Sequence, residues 1–213
     1  MLATRRSVLA LAGAGMAAAC GQKGAGALNS EDPTDMALGA ANAPVRLIEY
    51  ASVTCPHCRD FHLAAWPKLK AKYIDTGKVR FVFREYPTNP PELAIVGLEM
   101  ARCANATPAQ YFARLDALYS HQDLLLASYA KGASAGKLLA IANQNGVTRE
   151  QFAACVADPA GATRIRDIVQ AGNRRFQITI TPTLILNGQR LAANYLDYEA
   201  LSALIDSKLK AGV

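Results

Sequence analysis

The stretch Cys55-Pro56-His57-Cys58 decides the interpretation of this 213-residue chain. It follows an apolar run over residues 45–50 and opens a segment with helical periodicity. Two cysteines with this spacing at the start of a helix can close a small disulfide ring. The Cys55 thiolate would lie beside the unpaired N–H groups and the positive dipole end of the helix, which favour the anion. The stretch therefore predicts thiol-disulfide redox chemistry.

Each residue of the motif receives a predicted role. Cys55 is the nucleophile, because a low thiolate pKa makes its sulfur ionised at neutral pH and a good leaving group from a mixed disulfide. Pro56 suits the first helical position, where its missing N–H would have had no partner. His57, when protonated, would stabilise the neighbouring thiolate. Cys58 lies one turn inside the helix and is the predicted resolving thiol.

A metal site is the alternative interpretation of the same two cysteines. Half of a zinc site would need two further ligands, such as a second C-x-x-C or a paired histidine, and the chain contains neither. Cys20, Cys103 and Cys155 are isolated in sequence, and His62 and His121 show no ligand spacing. We therefore expect no metal site and assign no role to these two histidines.

Composition and charge limit the classes of protein that the chain could be. Hydrophobic residues make up 51% of it, enough for one domain with a real core, with or without an insertion. The formal net charge is +6. Basic residues are scattered among acids, as in Arg164-Ile165-Arg166-Asp167, and no basic stripe alternates with aromatic residues. We therefore expect no nucleic-acid binding.

Residues 1–20 have the pattern of an export signal. Arg5 and Arg6 precede an apolar run over residues 8–19, which is shorter than the roughly 18 residues of a membrane-spanning helix. The paired arginines resemble a twin-arginine signal, although such pairs also occur in ordinary signals. Ala17-Ala18-Ala19-Cys20 resembles a bacterial lipobox, in which Cys20 is acylated, and simple cleavage at the alanines is the alternative. We expect a periplasmic protein, anchored in the membrane if Cys20 is acylated.

The rest of the chain divides into a linker and one domain. Residues 21–43 are rich in small and polar residues and predict a flexible linker, and residues 44–211 predict the domain. After the motif helix, which Pro67 should kink, residues 79–83 predict a second strand and residues 88–177 a helical insertion. The chain then returns to strand, turns at Asn187-Gly188 and ends in a helix.

This order of elements resembles the thioredoxin fold of the DsbA-like thiol-disulfide oxidoreductases over residues 35–209. The most specific parts of the resemblance are residues 49–58, which include the Cys-Pro-His-Cys motif, and Thr181-Pro182-Thr183. The resemblance implies an α/β class, thioredoxin-like, with an inserted helical subdomain. It also implies that Pro182 is a cis proline beside the active disulfide, and that Thr181 offers backbone groups to an extended substrate.

Glu49 and the pair Cys103 and Cys155 also receive roles from the resemblance. Glu49 stands where relatives place a buried acid beneath the second cysteine, and would accept the proton of Cys58. Cys103 and Cys155 both fall in the insertion, where many relatives carry a second disulfide. Free buried cysteines are the alternative, and an exported protein favours the bond.

The resemblance implies an exported oxidase that needs no bound cofactor. It would donate disulfides to unfolded or reduced secreted proteins and be reoxidised by a quinone-linked membrane partner of the DsbB type. A disulfide isomerase or reductase is the nearest alternative, because threonine also precedes the cis proline in isomerases. A thiolate copper chaperone and a client-binding module are more distant alternatives.

Overall fold

The computed structural model describes residues 31–212. The predicted export signal, Cys20 and residues 21–30 of the predicted linker lie outside the described residues. The strands are β1 (Met36–Leu38), β2 (Val45–Ala51), β3 (Val79–Glu85), β4 (Thr183–Leu186) and β5 (Gln189–Arg190). The helices are α1 (Pro56–Ala64), α2 (Trp66–Leu69), α3 (Pro91–Arg102), α4 (Pro108–Ser120), α5 (Gln122–Tyr129), α6 (Ser134–Gln144), α7 (Arg149–Ala157), α8 (Pro159–Phe176) and α9 (Tyr198–Lys210). A π-helical segment (Lys70–Ile74) follows α2, and a 3-10 turn (Ala193–Leu196) precedes α9.

The strands form one mixed sheet in the order β1-β3-β2-β4-β5. β2 and β3 run parallel, whereas the other neighbours are antiparallel. β2 and β3 are buried along almost their whole length, as expected for apolar runs covered on both faces. The predicted α/β class, with a thioredoxin-like sheet and a helical insertion, is confirmed.

The hydrophobic core lies on both faces of this sheet, because alternate residues of a strand point to opposite sides. On β2, Leu47 belongs to the larger cluster, together with residues of α1 and α4. Ile48 belongs to a smaller cluster that Phe176 of α8 helps to cover. Within residues 31–212, no helix is both long and apolar enough to cross a bilayer.

The linker prediction is wrong for the part that the structure describes. β1 lies inside the predicted linker and pairs with β3, with Met36 opposite Phe83. Next to it, the buried Asp35 carboxylate accepts a hydrogen bond from Arg84 at 2.7 Å. The domain therefore begins before residue 44. A three-residue strand is too short to leave a periodic pattern in the sequence, which explains the error.

The predicted kink after the motif helix is present. α1 ends at Ala64 and α2 begins at Trp66, just before Pro67. Proline has no N–H to donate and its ring crowds the carbonyl one turn back, so a regular helix cannot pass through this position. The helical path ends near Gly77, whose φ of +71° favours glycine.

The helical insertion extends from α3 to α8 between β3 and β4. Thr107 and Thr148 each cap a helix through a reciprocal capping box, which satisfies otherwise unpaired N–H groups. Residues 123–127 form an apolar stretch whose pattern fits either the core or an exposed groove. In the structure they belong to α5, where Leu125 is buried and Leu124 is exposed.

The chain re-enters the sheet at β4 directly after Pro182. The β4–β5 hairpin turns at Asn187 and Gly188, both with positive φ (47° and 81°), as a tight type I′-like turn requires. α9, the predicted closing helix, follows the 3-10 turn. Asp197 caps it by accepting a hydrogen bond from the Ala200 N–H.

Candidate active site

Cys55 is the N-cap residue of α1, with extended backbone angles (φ −83°, ψ 119°), and Pro56 is the first helical residue. β2 delivers the chain to this point through a short buried turn. Cys55 is 7% exposed, so it is largely desolvated but, unlike Cys58, not completely buried. In the thiol form, Sγ donates to the Thr181 carbonyl oxygen at 3.3 Å.

The environment of Cys55 stabilises its thiolate. The pKa of Cys55 is lowered from 9.0 to about 6, chiefly because the Cys58 thiol donates a hydrogen bond to it. The Thr181 side chain and the backbone N–H groups of His57 and Cys58 donate as well, whereas burial opposes them. These N–H groups are the unpaired donors of the helix start. At neutral pH the Cys55 sulfur is therefore mostly an anion.

Cys58 has the opposite character. It is 0% exposed, and its pKa is raised well above 9.0, first because burial disfavours the anion. Its hydrogen bond to Cys55 and the nearby negative charges of Cys55 and Glu49 raise the pKa further. Neither cysteine is disulfide-bonded in this structure. The pair thus contains one ionised, accessible sulfur and one protonated, inaccessible sulfur.

The Thr181–Pro182 peptide bond is cis, and it lies beside the Cys55 sulfur. Ile180, just before it, is 57% exposed. Pro182 lines a cavity of about 370 Å³ that extends under the β4–β5 hairpin. The structure therefore brings Thr181 and Pro182 to the reactive sulfur, as the resemblance implied.

His57 and Glu49 both belong to the site, in different ways. The His57 side chain is exposed, and it is the backbone N–H of this residue that helps to hold the thiolate. Glu49 is 0% exposed on β2, close enough to Cys58 for its charge to raise the pKa of that thiol. The structure thus places the predicted acid beside the predicted resolving cysteine.

His62 also belongs to the site, although the sequence analysis assigned it no role. It is 3% exposed, and its Nε2 lies 2.9 Å from Glu49 Oε2. Its ring stacks on Tyr119, with the two centroids 4.3 Å apart. One sequence signal was available, since His62 stands four residues after Cys58 and so shares its helix face.

Two sets of polar residues that hold the reactive turn were missed from the sequence. Ser52, Thr54 and Thr88 form a network, in which Thr54 Oγ1 lies 3.0 Å from the hydroxyl oxygens of both Ser52 and Thr88. Gln122, at the start of α5, donates to the carbonyl oxygens of Val53 (2.9 Å) and Cys55 (3.0 Å). Gln122 is 1% exposed, so these contacts are buried. Nothing local in sequence indicates contacts across such long separations.

The structure places the remaining predicted residues away from the reactive turn. Cys103 and Cys155 form a disulfide inside the insertion, with Cα atoms 5.5 Å apart, and it joins the ends of α3 and α7. His121 lies at the start of α5, with Nδ1 2.8 Å from the Ala117 carbonyl oxygen. In the described part of the chain, no three His, Cys, Asp or Glu side chains are arranged to hold a metal ion.

Comparison with known proteins identifies the family. The family model described as "Thioredoxin" matches residues 31–207. A "Putative protein-disulfide oxidoreductase" of Rickettsia bellii is 29% identical over 183 residues, covering 84% of this chain and 66% of its own length. The Rickettsia conorii counterpart is 31% identical over 188 residues, covering 84% and 62%. The chain thus spans slightly less than two thirds of these relatives.

Solved structures agree with the sequence matches. The crystal structure of alpha-DsbA1 from Wolbachia pipientis superposes with a TM-score of 0.77 at 26% identity, and the alignment covers 88% of this chain and 97% of that one. The helical insertion is therefore shared as well as the sheet. With its cysteine pair at the start of α1 and its cis proline beside them, the chain belongs to the thioredoxin family, among its DsbA-like members.

Proposed function

We propose that this chain is an exported thiol-disulfide oxidoreductase that donates the Cys55–Cys58 disulfide to reduced secreted proteins. The observation that carries the proposal is the opposite displacement of the two thiol pKa values, with Cys55 lowered to about 6 and Cys58 raised. A stabilised Cys55 thiolate is a good leaving group, so it favours the reduced enzyme and makes the disulfide oxidising.

The geometry supports one order of bond exchange. A substrate thiolate attacks Cys55 rather than Cys58, because Cys58 is completely buried. The Cys55–Cys58 bond breaks, a substrate–Cys55 bond forms, and the Cys58 sulfur takes up a proton. A second substrate thiolate then attacks the substrate sulfur of the mixed disulfide and releases Cys55 as the thiolate. The substrate loses two electrons and the enzyme gains them.

The substrate chain would align along the backbone next to the cis proline. The Thr181 carbonyl lies at the Cys55 sulfur, and the exposed Ile180 side chain offers an apolar contact beside it. An extended peptide can use such backbone groups by strand addition, which depends little on its sequence. This arrangement suits unfolded clients of varied sequence.

Compartment and partners are part of the same proposal. The signal-like residues 1–20 and the disulfide in the insertion support an oxidising, periplasmic location. A quinone-linked membrane protein of the DsbB type would reoxidise the reduced pair. Acylation of Cys20 would tether the protein, and replacing Cys20 by alanine should then release it from the membrane fraction. Equal partitioning of both forms would contradict the tether.

A disulfide isomerase or reductase is the second candidate, because the residue before the cis proline is Thr181. The two candidates differ in the reduction potential of the Cys55–Cys58 pair, measured by equilibration with glutathione. A donor should lie near about −120 mV, as the most oxidising proteins of this kind do. A value near about −270 mV, typical of thioredoxin, would exclude the donor and favour a reductant.

The donor activity itself is tested with a reduced, unfolded protein that contains cysteines. The oxidised enzyme should form disulfides in it while its own pair becomes reduced, in equal amounts. Enzyme lacking the pair (Cys55→Ala with Cys58→Ala) is the matched control and should do neither. If the client remained reduced in the presence of oxidised enzyme, the proposed function would be wrong.

A further inference from the structure

In the buried part of the active site, a proton must leave Cys58 when the disulfide forms and return when the disulfide breaks. Cys58 and Glu49 are both 0% exposed, and the resolving thiol must lose its proton each time the disulfide forms. Glu49 is placed to accept that proton, but it has no contact with solvent through which to release it. A neighbouring group that connects Glu49 with water would give this proton a way out.

His62 occupies that position. Its Nε2 lies 2.9 Å from Glu49 Oε2, and Glu49 Oε1 has no hydrogen-bond partner, which leaves it available to the Cys58 side. On the other edge of the ring, Nδ1 is buried without a hydrogen-bond partner. The closest acid to Nδ1 is Asp116, whose Oδ1 is 4.0 Å away. That distance is too long for a hydrogen bond.

A cavity that is open to solvent lies against the His62 ring and Asp116. It has a volume of about 240 Å³, and both His62 and Asp116 line it. The Asp116 side chain is 53% exposed, so it reaches solvent directly. The cavity is large enough for water, which can accept a proton from Nδ1 and pass it on. The His62 ring thus lies between the buried Glu49 and the cavity that is open to solvent.

The other titratable groups around His62 do not offer the same route. Tyr119 of α4 stacks on the ring, but burial raises the pKa of its phenol well above 10.0, so it stays protonated. Lys70 lines the cavity as a cation and is paired with Asp75 at 2.7 Å. Cys58 lies on the same helix and is the source of the proton. Glu49 of β2 and Asp116 of α4 are the groups left on the two sides of the ring.

We propose that His62 relays protons between Glu49 and solvent, so that Cys58 can lose or regain its proton while the core stays closed. The inference rests on the proposed function, since it concerns the same cysteine pair. His62 does not touch the reacting sulfurs in this scheme. It acts through Glu49, and it is a positioning residue for the proton rather than a catalytic residue.

The step balances in the reaction with glutathione disulfide. Cys55 first forms a mixed disulfide with glutathione and releases one glutathione thiolate. Cys58 then gives its proton to the Glu49 carboxylate, which turns and passes it from Oε2 to His62 Nε2. The ring, which carries its hydrogen on Nδ1 before this step, releases that hydrogen to Asp116 or cavity water and keeps the new one on Nε2. The electron pair of Cys58 forms the bond to Cys55. The second glutathione leaves as a thiolate and takes up a proton from solvent.

The test follows this reaction in the purified protein by acid quenching and mass spectrometry. His62→Gln keeps a side-chain amide that can bond to Glu49, but it cannot pass a proton through. Formation of the mixed disulfide should be unchanged, because Cys55 is already ionised. Its resolution by Cys58 should be roughly tenfold slower near pH 7, below the full effect of general acid–base catalysis because water remains a slower path.

Dependence on pH separates a relay from a merely structural role. The difference in resolution rate between His62→Gln and the wild type should become smaller as the pH rises, since hydroxide then removes the proton without a relay. Asp116→Asn should slow resolution less, because cavity water remains. Asp167→Asn on α8, outside this cavity, removes an equal charge and should have no effect. Unchanged resolution in His62→Gln, or an equal slowing at every pH, would overturn the relay.

A measurement on the unaltered protein covers the case in which His62→Gln does not fold. The resolving step of the wild type should be slower in deuterium oxide than in water, whereas mixed-disulfide formation should not. No slowing of resolution would contradict the relay. This test measures the rate at which glutathione disulfide oxidises the cysteine pair, and it involves no client protein. A negative result here would therefore leave the proposed donor function standing. A negative result in the potential or client assays would, in turn, leave the rate of resolution measurable.

Discussion

The two cysteine pairs of this protein lie at opposite ends of helices. Cys55 caps the N-terminus of α1, where the helix dipole and unpaired N–H groups favour an anion. Cys103 is the C-cap of α3, and Cys155 lies in the last turn of α7. The C-terminal end of a helix is negative and disfavours a thiolate. The position on the helix therefore favours disulfide exchange at the Cys55–Cys58 pair and a stable disulfide at the Cys103–Cys155 pair.

Burial does not explain the difference between the pairs. Cys58 of the reactive pair and Cys103 of the structural pair are equally inaccessible, at 0% and 1% exposure. What distinguishes the reactive pair is the set of donors around one accessible sulfur, that of Cys55. Between the two pairs, the position of a cysteine on its helix matters more than its depth, whereas burial separates the roles of Cys55 and Cys58 within the reactive pair.

The sharpest way to break this comparison is to disable each pair in turn. Cys55→Ala should reduce the oxidation of a reduced client protein to the uncatalysed rate, because no accessible sulfur remains to form the mixed disulfide. The double variant Cys103→Ala with Cys155→Ala should retain the wild-type rate when assayed below its unfolding temperature. Equal losses in both proteins would show that the insertion disulfide takes part in the exchange.

The pH dependence of alkylation is the second test. The rate at which iodoacetamide modifies Cys55 should rise with a midpoint at about pH 6, instead of the ordinary 9.0, because only the thiolate reacts. Cys103 and Cys155 should remain unmodified at every pH of the assay as long as their disulfide is intact. A Cys55 midpoint near 9 would remove the electrostatic distinction between the pairs.

The same pKa shift affects stability in a defined direction. The Cys55 thiol has a lower pKa in the folded, reduced protein than in the unfolded chain. Its contribution to the stability of the reduced protein is therefore fully present above pH 9 and is lost as the pH falls through about 6. The oxidised protein lacks this thiolate and should not show that part of the pH dependence in denaturant unfolding.

Removing the insertion disulfide should have a smaller, purely structural effect. The bond closes a loop with a sequence separation of 52 residues. Chain-entropy arguments give a stabilisation of at most about 4 kcal/mol for such a loop. Urea unfolding of Cys103→Ala with Cys155→Ala should show a loss up to that size, with an unchanged Cys55–Cys58 reduction potential. A shifted potential would mean that the two pairs are coupled.

The smallest expected effect concerns Gln122, which connects the insertion to the reactive pair. Gln122→Leu leaves the carbonyls of Val53 and Cys55 without their buried donor, which should lower stability by about 1–3 kcal/mol. Gln144→Leu, at an exposed position on α6, is the control and should change stability by less than about 0.5 kcal/mol. Equal unfolding midpoints for the two variants would show that the insertion does not support the reactive turn.

Much of the fold could be predicted from the sequence, because its signals are local. The apolar runs of β2 and β3, the capping residue Thr148 and the Asn187-Gly188 turn each occupy a few adjacent residues and act through nearby backbone. β1 could not be predicted, since three residues carry no period and their pairing with β3 is a tertiary contact. The interruption at Pro67 was predictable, because proline acts on its own turn.

The motif and the resemblance predicted part of the site, and the rest had no signal that either could use. Cys55 and Cys58 are adjacent on one helix, whereas Glu49 and Pro182 were placed only through the resemblance. His62 was given no role, since a histidine on a helix has many uses and its partner lies on a separate strand. Gln122 had no signal at all, because its two bonds span more than 60 residues of chain.

The hydrogen bonds from Gln122 also restrict how this scaffold can be redesigned. The insertion looks removable, as a block of helices between two strands of an otherwise minimal domain. Its excision would, however, strip the donor from two carbonyls at the entrance to α1, and the substitute loop would have to supply another. A transplanted Cys-Pro-His-Cys motif likewise requires that support, so the smallest portable unit is the motif together with the start of α5.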